Sequence, residues 1–112
     1  MPYIKDEHGR RIQLSRGATA LNAGELNFQI FYYVKNSNPV YYEKIRYFTD
    51  EFLSTGRTYQ KYNDLTGALV CCYKEIKRRL NREEDVLLDV LESYNEEINA
   101  YEDIKIGENG DV

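Results

Sequence analysis

The sequence contains few of the residues from which catalytic and metal sites are usually built. Among its 112 residues there are one histidine, two cysteines and no tryptophan. A single imidazole, His8, excludes a site that needs two histidine ligands. There is no glycine-rich phosphate loop, no apolar run near the roughly 18 residues that cross a bilayer, and no apolar signal-peptide core at the N-terminus. We therefore expect a non-enzymatic protein without metal or cofactor, located in the cytoplasm and away from membranes.

The two cysteines, Cys71 and Cys72, are neighbours in the sequence. On a helix, adjacent side chains point about 100° apart, so one would be buried and the other would lie beside the buried face. Two thiolates without further ligands make a poor zinc site. We interpret them as reduced structural thiols, which agrees with a cytoplasmic location.

Charge is unevenly distributed along the chain. Residues 1–82 contain 14 Lys and Arg against 8 Asp and Glu, a net charge of +6, whereas residues 83–112 contain one Lys against 11 acidic residues, a net charge of −10. One interpretation is that the acidic segment pairs with the basic one inside the chain. The other is that a basic face binds an anionic ligand while an acidic face binds a partner. The 11 tyrosines suit half-exposed grooves and interfaces.

The pattern of apolar residues predicts an all-α fold, a small four-helix bundle-like domain spanning residues 1–112. Asn22 and Thr58 are typical helix N-caps, and Asn38 before Pro39 is a further helix start. We place helices at 23–36, 39–54, 59–80 and 82–101, the last opened by a capping box at Asn81. Residues 1–20 are predicted to form an irregular arm or a short hairpin. Residues 102–112 are predicted to form a non-helical tail, anchored by Tyr101 and Ile104.

The densest cluster of basic residues lies at the end of the predicted third helix. Lys74, Arg78 and Arg82 recur at four-residue spacing and so share one helix face, with Arg79 and Tyr73 beside them. One interpretation is a solvated face, whose positive charges the helix dipole stabilises near the C-terminal end of the helix. The other is a binding site for phosphate groups. Nucleic acid is a less favoured ligand, because the acidic segment follows immediately and would repel it.

The predicted first helix is apolar nearly all round, which is typical of a helix buried on two faces. In so small a chain, a second copy most easily covers the second face. We therefore predict a homo-oligomer, with a dimer favoured. The candidate interface residues are Phe28, Phe31 and Tyr32 on this helix, and Gly67 and Ala68 on the third helix, where small side chains allow a close helix crossing.

Several short strings of residues carry a resemblance to a known family. They are Met1-Pro2-Tyr3-Ile4, Ala23-Gly24-Glu25-Leu26-Asn27, Tyr62-Asn63-Asp64-Leu65-Thr66-Gly67-Ala68-Leu69, Tyr73-Lys74-Glu75 with Arg78-Arg79, and a C-terminal motif that includes Tyr101, Glu102, Asp103, Lys105, Asn109, Gly110 and Asp111. With these strings the chain resembles a family of short uncharacterised proteins of bacteriophages and prokaryotes, which begin Met-Pro-Tyr-Ile and end near Tyr-Glu-Asp…Glu-Asn-Gly-Asp-Val. The resemblance implies a phage-type gene and a small helical fold, and it supplies no activity. Residues 81–100 depart from the family pattern, which runs almost directly from Arg-Arg into Tyr-Glu-Asp.

Together these features lead us to expect a non-enzymatic phage-type accessory protein that acts by binding, as an oligomer. Its partner would be a host defence protein or an anionic, nucleotide-like small molecule. In the second case the basic cluster would bind phosphates and tyrosine rings would stack on a base. The alternative is a nucleic-acid-associated regulator of phage or host genes.

Overall fold

The chain folds into six α-helices in the computed structural model, which describes residues 4–109 and contains no strand within them. A short 3₁₀ turn, Glu7–Gly9, precedes the first helix. The helices are α1 (Arg10–Ser15), α2 (Ala23–Asn36), α3 (Tyr42–Ser54), α4 (Tyr59–Leu80), α5 (Val86–Glu92) and α6 (Asn95–Asn109). The all-α class predicted from the sequence is therefore confirmed, but there are six helices where four were predicted.

The helices α2 and α4 begin and end at the predicted residues. The Asn22 side chain accepts a hydrogen bond from the Glu25 N–H at 2.9 Å, and the Thr58 hydroxyl accepts one from the Lys61 N–H at 3.1 Å. Each cap satisfies a backbone donor that the first turn of a helix leaves free. Local signals therefore determine where the two central helices start.

Packing of α2 along α4 forms the centre of the core and is bundle-like, with α3 and α5 covering the same core from another side. The fully buried side chains of the central pair are Leu26, Ile30 and Val34 on α2 and Leu65, Leu69, Cys72 and Ile76 on α4. These residues recur every three or four positions, as one buried face of a helix requires.

Part of the N-terminal arm, residues 7–15, is helical, which corrects the prediction of an irregular arm or hairpin there. Gly9 at φ 71° makes the left-handed turn into α1, and Leu14 of α1 is fully buried. Arg10 then binds α2: its guanidinium donates to the Glu25 carboxylate at 2.6 and 3.0 Å, and also to the Thr19 carbonyl at 2.8 Å. The arm is thus attached to the start of α2.

The helix α3 starts at Tyr42, three residues after the predicted start at Pro39. The Tyr41 N–H donates to the Tyr33 hydroxyl of α2 at 3.0 Å and so makes no hydrogen bond within α3. The Tyr41 carbonyl accepts the Ile45 N–H at 3.4 Å, which is the first hydrogen bond of α3. Tyr41, with extended backbone angles, is therefore the N-cap residue in place of Asn38. The prediction of Asn38 as the cap was wrong.

The single predicted helix over 82–101 is two helices. Asn81 adopts a left-handed conformation, φ 53°, and terminates α4, so it does not open the next helix with a capping box. The break between α5 and α6 falls at Ser93 and Tyr94. The Tyr94 N–H bonds to the Leu91 carbonyl three residues back, in a tighter turn than an α-helix makes, and the Tyr94 ring is fully buried.

The predicted non-helical tail is also helical as far as the structure describes it. The helix α6 runs through to Asn109, and Gly107 is tolerated within it because an exposed helical glycine costs only about 1 kcal/mol. Tyr101 anchors this helix as predicted, whereas Ile104 is 55% exposed and does not. Residues 110–112 lie outside the described part of the chain.

Candidate functional site

The basic cluster predicted from the sequence lies at the end of α4, but the chain itself binds much of it. Arg82 is directed at the end of α2, where it donates to the Val34 carbonyl at 3.0 Å and the Ser37 carbonyl at 3.4 Å, and it pairs with Glu84. Val34 lies in the last turn of α2 and Ser37 is its C-cap residue, and the one local donor to the Val34 carbonyl is the Ser37 N–H at 3.3 Å. Arg82 therefore acts as a C-terminal cap supplied from a distant part of the chain.

The other cationic side chains of this cluster also have neighbours within the chain. Arg78 pairs with Glu75 at 2.9 Å, the Arg79 guanidinium lies 5.1 Å from the centre of the Phe31 ring, and Lys74 is exposed. The Tyr73 hydroxyl donates to the Asp85 carboxylate at 3.3 Å. The cluster is thus not a preformed cradle for phosphate.

The acidic segment folds back onto the basic one. Lys77 lies 3.4 Å from Glu83 and Arg57 lies 3.9 Å from Glu97, in addition to the pair between Arg82 and Glu84. These three pairs are intramolecular, as the first interpretation of the charge distribution expects, and two of them join residues next to the boundary between the segments.

We expect Arg82→Ala to lower the free energy of unfolding by about 1–3 kcal/mol, since two carbonyls and one carboxylate lose a charged donor. Chemical denaturation followed by circular dichroism measures this change. Because α4 ends at Leu80, Arg82 does not share a helix face with Lys74 as predicted, and Lys74→Ala, at an exposed residue of α4, is the control that should leave stability unchanged. Equal stability of the two variants would contradict the capping role.

The candidate interface residues divide between the core and the surface. Phe31 and Ala68 are 6% and 3% exposed, so they pack inside the single chain. Phe28 is half-buried against the ring of Tyr32, and Tyr32 is 43% exposed. At Gly67 no described atom from another part of the chain lies within 4 Å of the position where a side chain would start, so no other helix of the same chain crosses α4 closely there. The second apolar face of α2 is covered largely by the chain itself.

The C-terminal motif is anchored by its first residue. The Tyr101 hydroxyl donates to the Arg57 carbonyl at 2.7 Å, and its ring lies 5.1 Å from that of Tyr62. Glu102, Asp103 and Lys105 are exposed, and Asn109 ends α6. Gly110 and Asp111 lie outside the described residues.

A groove that the sequence analysis did not predict lies beside the start of α3. One depression, about 580 Å³ in volume, is lined by Arg16, Gly17, Tyr41, Glu43, Lys44 and Tyr47. A smaller and more enclosed depression of about 190 Å³ lies between α1, α2 and α3 and is lined by the rings of Tyr32, Tyr33 and Phe48. Lys44 lines both depressions, which we together name the tyrosine groove.

The tyrosine groove combines exposed rings with cationic groups. Tyr41 and Tyr47 are 60% and 44% exposed. The Lys44 ammonium lies 5.6 Å from the centre of the Tyr47 ring and 5.2 Å from that of Phe48. Arg16 adds a second positive charge and Glu43 offsets one of the two. An anionic group with a flat apolar part matches this surface, because the cations bind its charge and the rings stack on its flat face.

A third depression of about 410 Å³ adjoins the groove at Glu43 and Tyr47 but has the opposite charge. It contains the carboxylates of Glu43, Asp50 and Glu51, with Arg46. Arg46 is engaged already: it donates to Asp50 at 3.2 Å and to the Ser93 hydroxyl at 2.9 Å, and its guanidinium lies 4.2 Å from the centre of the Tyr94 ring. Anions are therefore favoured only on the Lys44 side.

Sequence reasoning missed the groove because its residues come from separate elements. Arg16 and Gly17 follow α1, Tyr32 and Tyr33 belong to α2, and Lys44 begins α3. No single stretch of the sequence shows them together. The high tyrosine content was the one signal for it, and that signal carries no position.

The two cysteines are placed as predicted. Cys72 is fully buried, Cys71 is exposed, and both are free thiols. Burial raises the pKa of the Cys72 thiol far above its usual range, so Cys72 stays protonated and unreactive at neutral pH.

Comparisons with protein-family models, with curated proteins and with solved structures gave no match for this chain. Across residues 4–109, no three histidine, cysteine, aspartate or glutamate side chains come together as a metal site requires. No helix in that part of the chain is long and apolar enough to cross a membrane.

Proposed function

We propose that this chain is a non-enzymatic, phage-type accessory protein that binds an anionic, nucleotide-like ligand in the tyrosine groove. The observation that supports this most directly is the position of Lys44 between two depressions lined by tyrosine rings. The volume of the larger depression, about 580 Å³, is in the range of known small-molecule sites. The phage origin rests on the resemblance of the sequence alone.

The groove suits this role better than the basic cluster on α4. At α4 the aromatic neighbour, Tyr73, donates to Asp85, and the nearest carboxylates would repel an anion. In the groove, by contrast, the cations Arg16 and Lys44 share a surface with the exposed rings of Tyr41 and Tyr47. We assign phosphate binding to the two cations and base stacking to the two rings.

Calorimetric titration with ATP, adenosine and inorganic tripolyphosphate tests the proposal. We expect ATP to bind more tightly than either part alone, because the cations and the rings then both contribute. Lys44→Glu and Tyr47→Ala should each weaken ATP binding about tenfold or more, since one ionic or stacking contact contributes about 1–3 kcal/mol.

Lys74→Glu is the matched control, since it makes the same charge change at an exposed lysine of α4. It should bind ATP as the wild type does. If Lys74→Glu alone loses ATP binding, the ligand binds at the α4 cluster and not in the groove. If the wild type does not bind ATP at millimolar concentration, the proposal is contradicted. Binding of single-stranded RNA without binding of ATP would instead support the alternative, a nucleic-acid-associated regulator.

A further inference from the structure

The far end of α6 is an acidic and partly apolar surface that the fold leaves uncovered. Residues 102–108 are all exposed, and Ile104 and Ile106 are 55% and 48% exposed. This stretch contains three carboxylates, those of Glu102, Asp103 and Glu108, against one ammonium group, that of Lys105. We name residues 102–108 the acidic end of α6.

The acidic end cannot reach the tyrosine groove of its own chain. Just before α6 begins, Tyr94 bonds to Asp50 in the second half of α3, and further along Tyr101 of α6 bonds to Arg57, beyond the end of α3. Lys105 then lies over the Tyr59 ring, further still from the start of α3. The helix α6 therefore runs away from the groove, which lies at the opposite end of the roughly 20 Å that α3 spans.

We infer that the acidic end of α6 from a second copy of this chain occupies the tyrosine groove. The two surfaces are complementary: Glu102, Asp103 and Ile106 share one face of α6, so the two carboxylates face the cations of the groove and the isoleucine faces its exposed tyrosine rings. Because the surfaces lie at opposite ends of one molecule, the contact is head-to-tail. Such contacts make a closed ring or dimer where the geometry closes and a chain of copies where it does not.

This inference rests on the tyrosine groove being the binding surface, as proposed above. It adds that self-association of the chain regulates ligand binding. The second copy presents carboxylates and apolar groups where a nucleotide presents phosphates and a base. The two occupants therefore exclude each other, so that ligand binding releases the assembly.

Two charge-reversed variants test the contact. The groove variant carries Arg16→Glu and Lys44→Glu, and the tail variant carries Glu102→Lys and Asp103→Lys. Light scattering should give the wild type a mass that rises above 13.2 kDa with concentration, whereas each variant alone stays at the mass of one chain. An equimolar mixture should associate as the wild type does, with the two variants alternating, because the intact tail of one meets the intact groove of the other and the two reversed surfaces also attract each other.

A chain that carries all four substitutions should associate with itself again, since the reversed charges remain complementary. Lys74→Glu and Glu92→Lys are matched controls at exposed residues outside both surfaces and should behave as the wild type. A wild type that stays monomeric at millimolar concentration, or a mixture that stays monomeric, would overturn the inference.

The calorimetric titration with ATP separates this result from the function proposed above. If ATP binds in the groove while the mixture stays monomeric, the inferred contact between copies is contradicted and the proposed nucleotide binding is kept. If the mixture associates while ATP does not bind, the nucleotide proposal fails alone.

Discussion

Tyr94→Ala should lower the free energy of unfolding by about 3–5 kcal/mol, the usual cost of removing a fully buried aromatic ring. The Tyr94 ring lies against that of Tyr62, and the Arg46 guanidinium stacks on it at 4.2 Å. Its hydroxyl donates to Asp50 at 2.6 Å and shares a hydrogen bond with the Thr49 hydroxyl at 2.8 Å. Tyr94 is thus the main attachment of the acidic segment to α3.

Tyr94→Phe separates the hydroxyl from the ring. This variant keeps the packing and removes one hydrogen bond from Asp50 and one from Thr49, both of which keep their bonds to Arg46, so it should cost about 1–2 kcal/mol. Tyr41→Phe is the control, because Tyr41 is 60% exposed and its hydroxyl should contribute nothing measurable. Urea denaturation measures all three. A Tyr94→Ala variant as stable as the wild type would show that α5 and α6 are held elsewhere.

Glu25→Gln should lower the free energy of unfolding by about 2 kcal/mol at neutral pH, because the Arg10 guanidinium then loses its charged acceptor. The Glu25 carboxylate also accepts the Leu21 N–H at 3.0 Å. The Arg10 side chain is 20% exposed and that of Glu25 is 15% exposed, so solvent screens the ion pair weakly. The loss should appear in urea denaturation as a lower midpoint with an unchanged slope.

The same pair predicts a pH dependence. Hydrogen bonding from Arg10 lowers the pKa of Glu25 below its usual value of 4.5 in the folded chain. The pair therefore stabilises the fold above pH 4.5, and this contribution is lost as the pH falls through the lowered pKa. The difference in stability between wild type and Glu25→Gln should be constant near neutral pH and shrink in acid. A difference that grows in acid would contradict this assignment.

Much of the fold could be predicted from the sequence where local chemistry determines it. The bounds of α2 and α4 follow from the caps at Asn22 and Thr58 and from apolar residues at helical spacing, and both were predicted exactly. The helix α1 was missed because its six residues bury a single apolar side chain, Leu14, which leaves no periodic pattern to read.

The errors in the last third of the chain have a tertiary cause. Glu84 pairs with Arg82, so it does not complete a capping box with Asn81. Tyr94 is turned into the core by Thr49 and Asp50, more than forty residues earlier in the chain, and the helix breaks there. The contacts of Tyr94 with such distant residues cannot be predicted from the residues next to it in the sequence. The tyrosine groove likewise joins Arg16 and Gly17 to residues 41–47, which lie more than twenty residues further along the chain.

The contact between Arg82 and the end of α2 has a consequence for how the chain is made. Arg82 follows Val34 by 48 residues, so the carbonyls that end α2 leave the ribosome long before their donor exists. Until then the Val34 carbonyl has only a local donor, the Ser37 N–H at 3.3 Å. The bonds that fasten the end of α2 to the rest of the fold therefore form only after α4 has been synthesised.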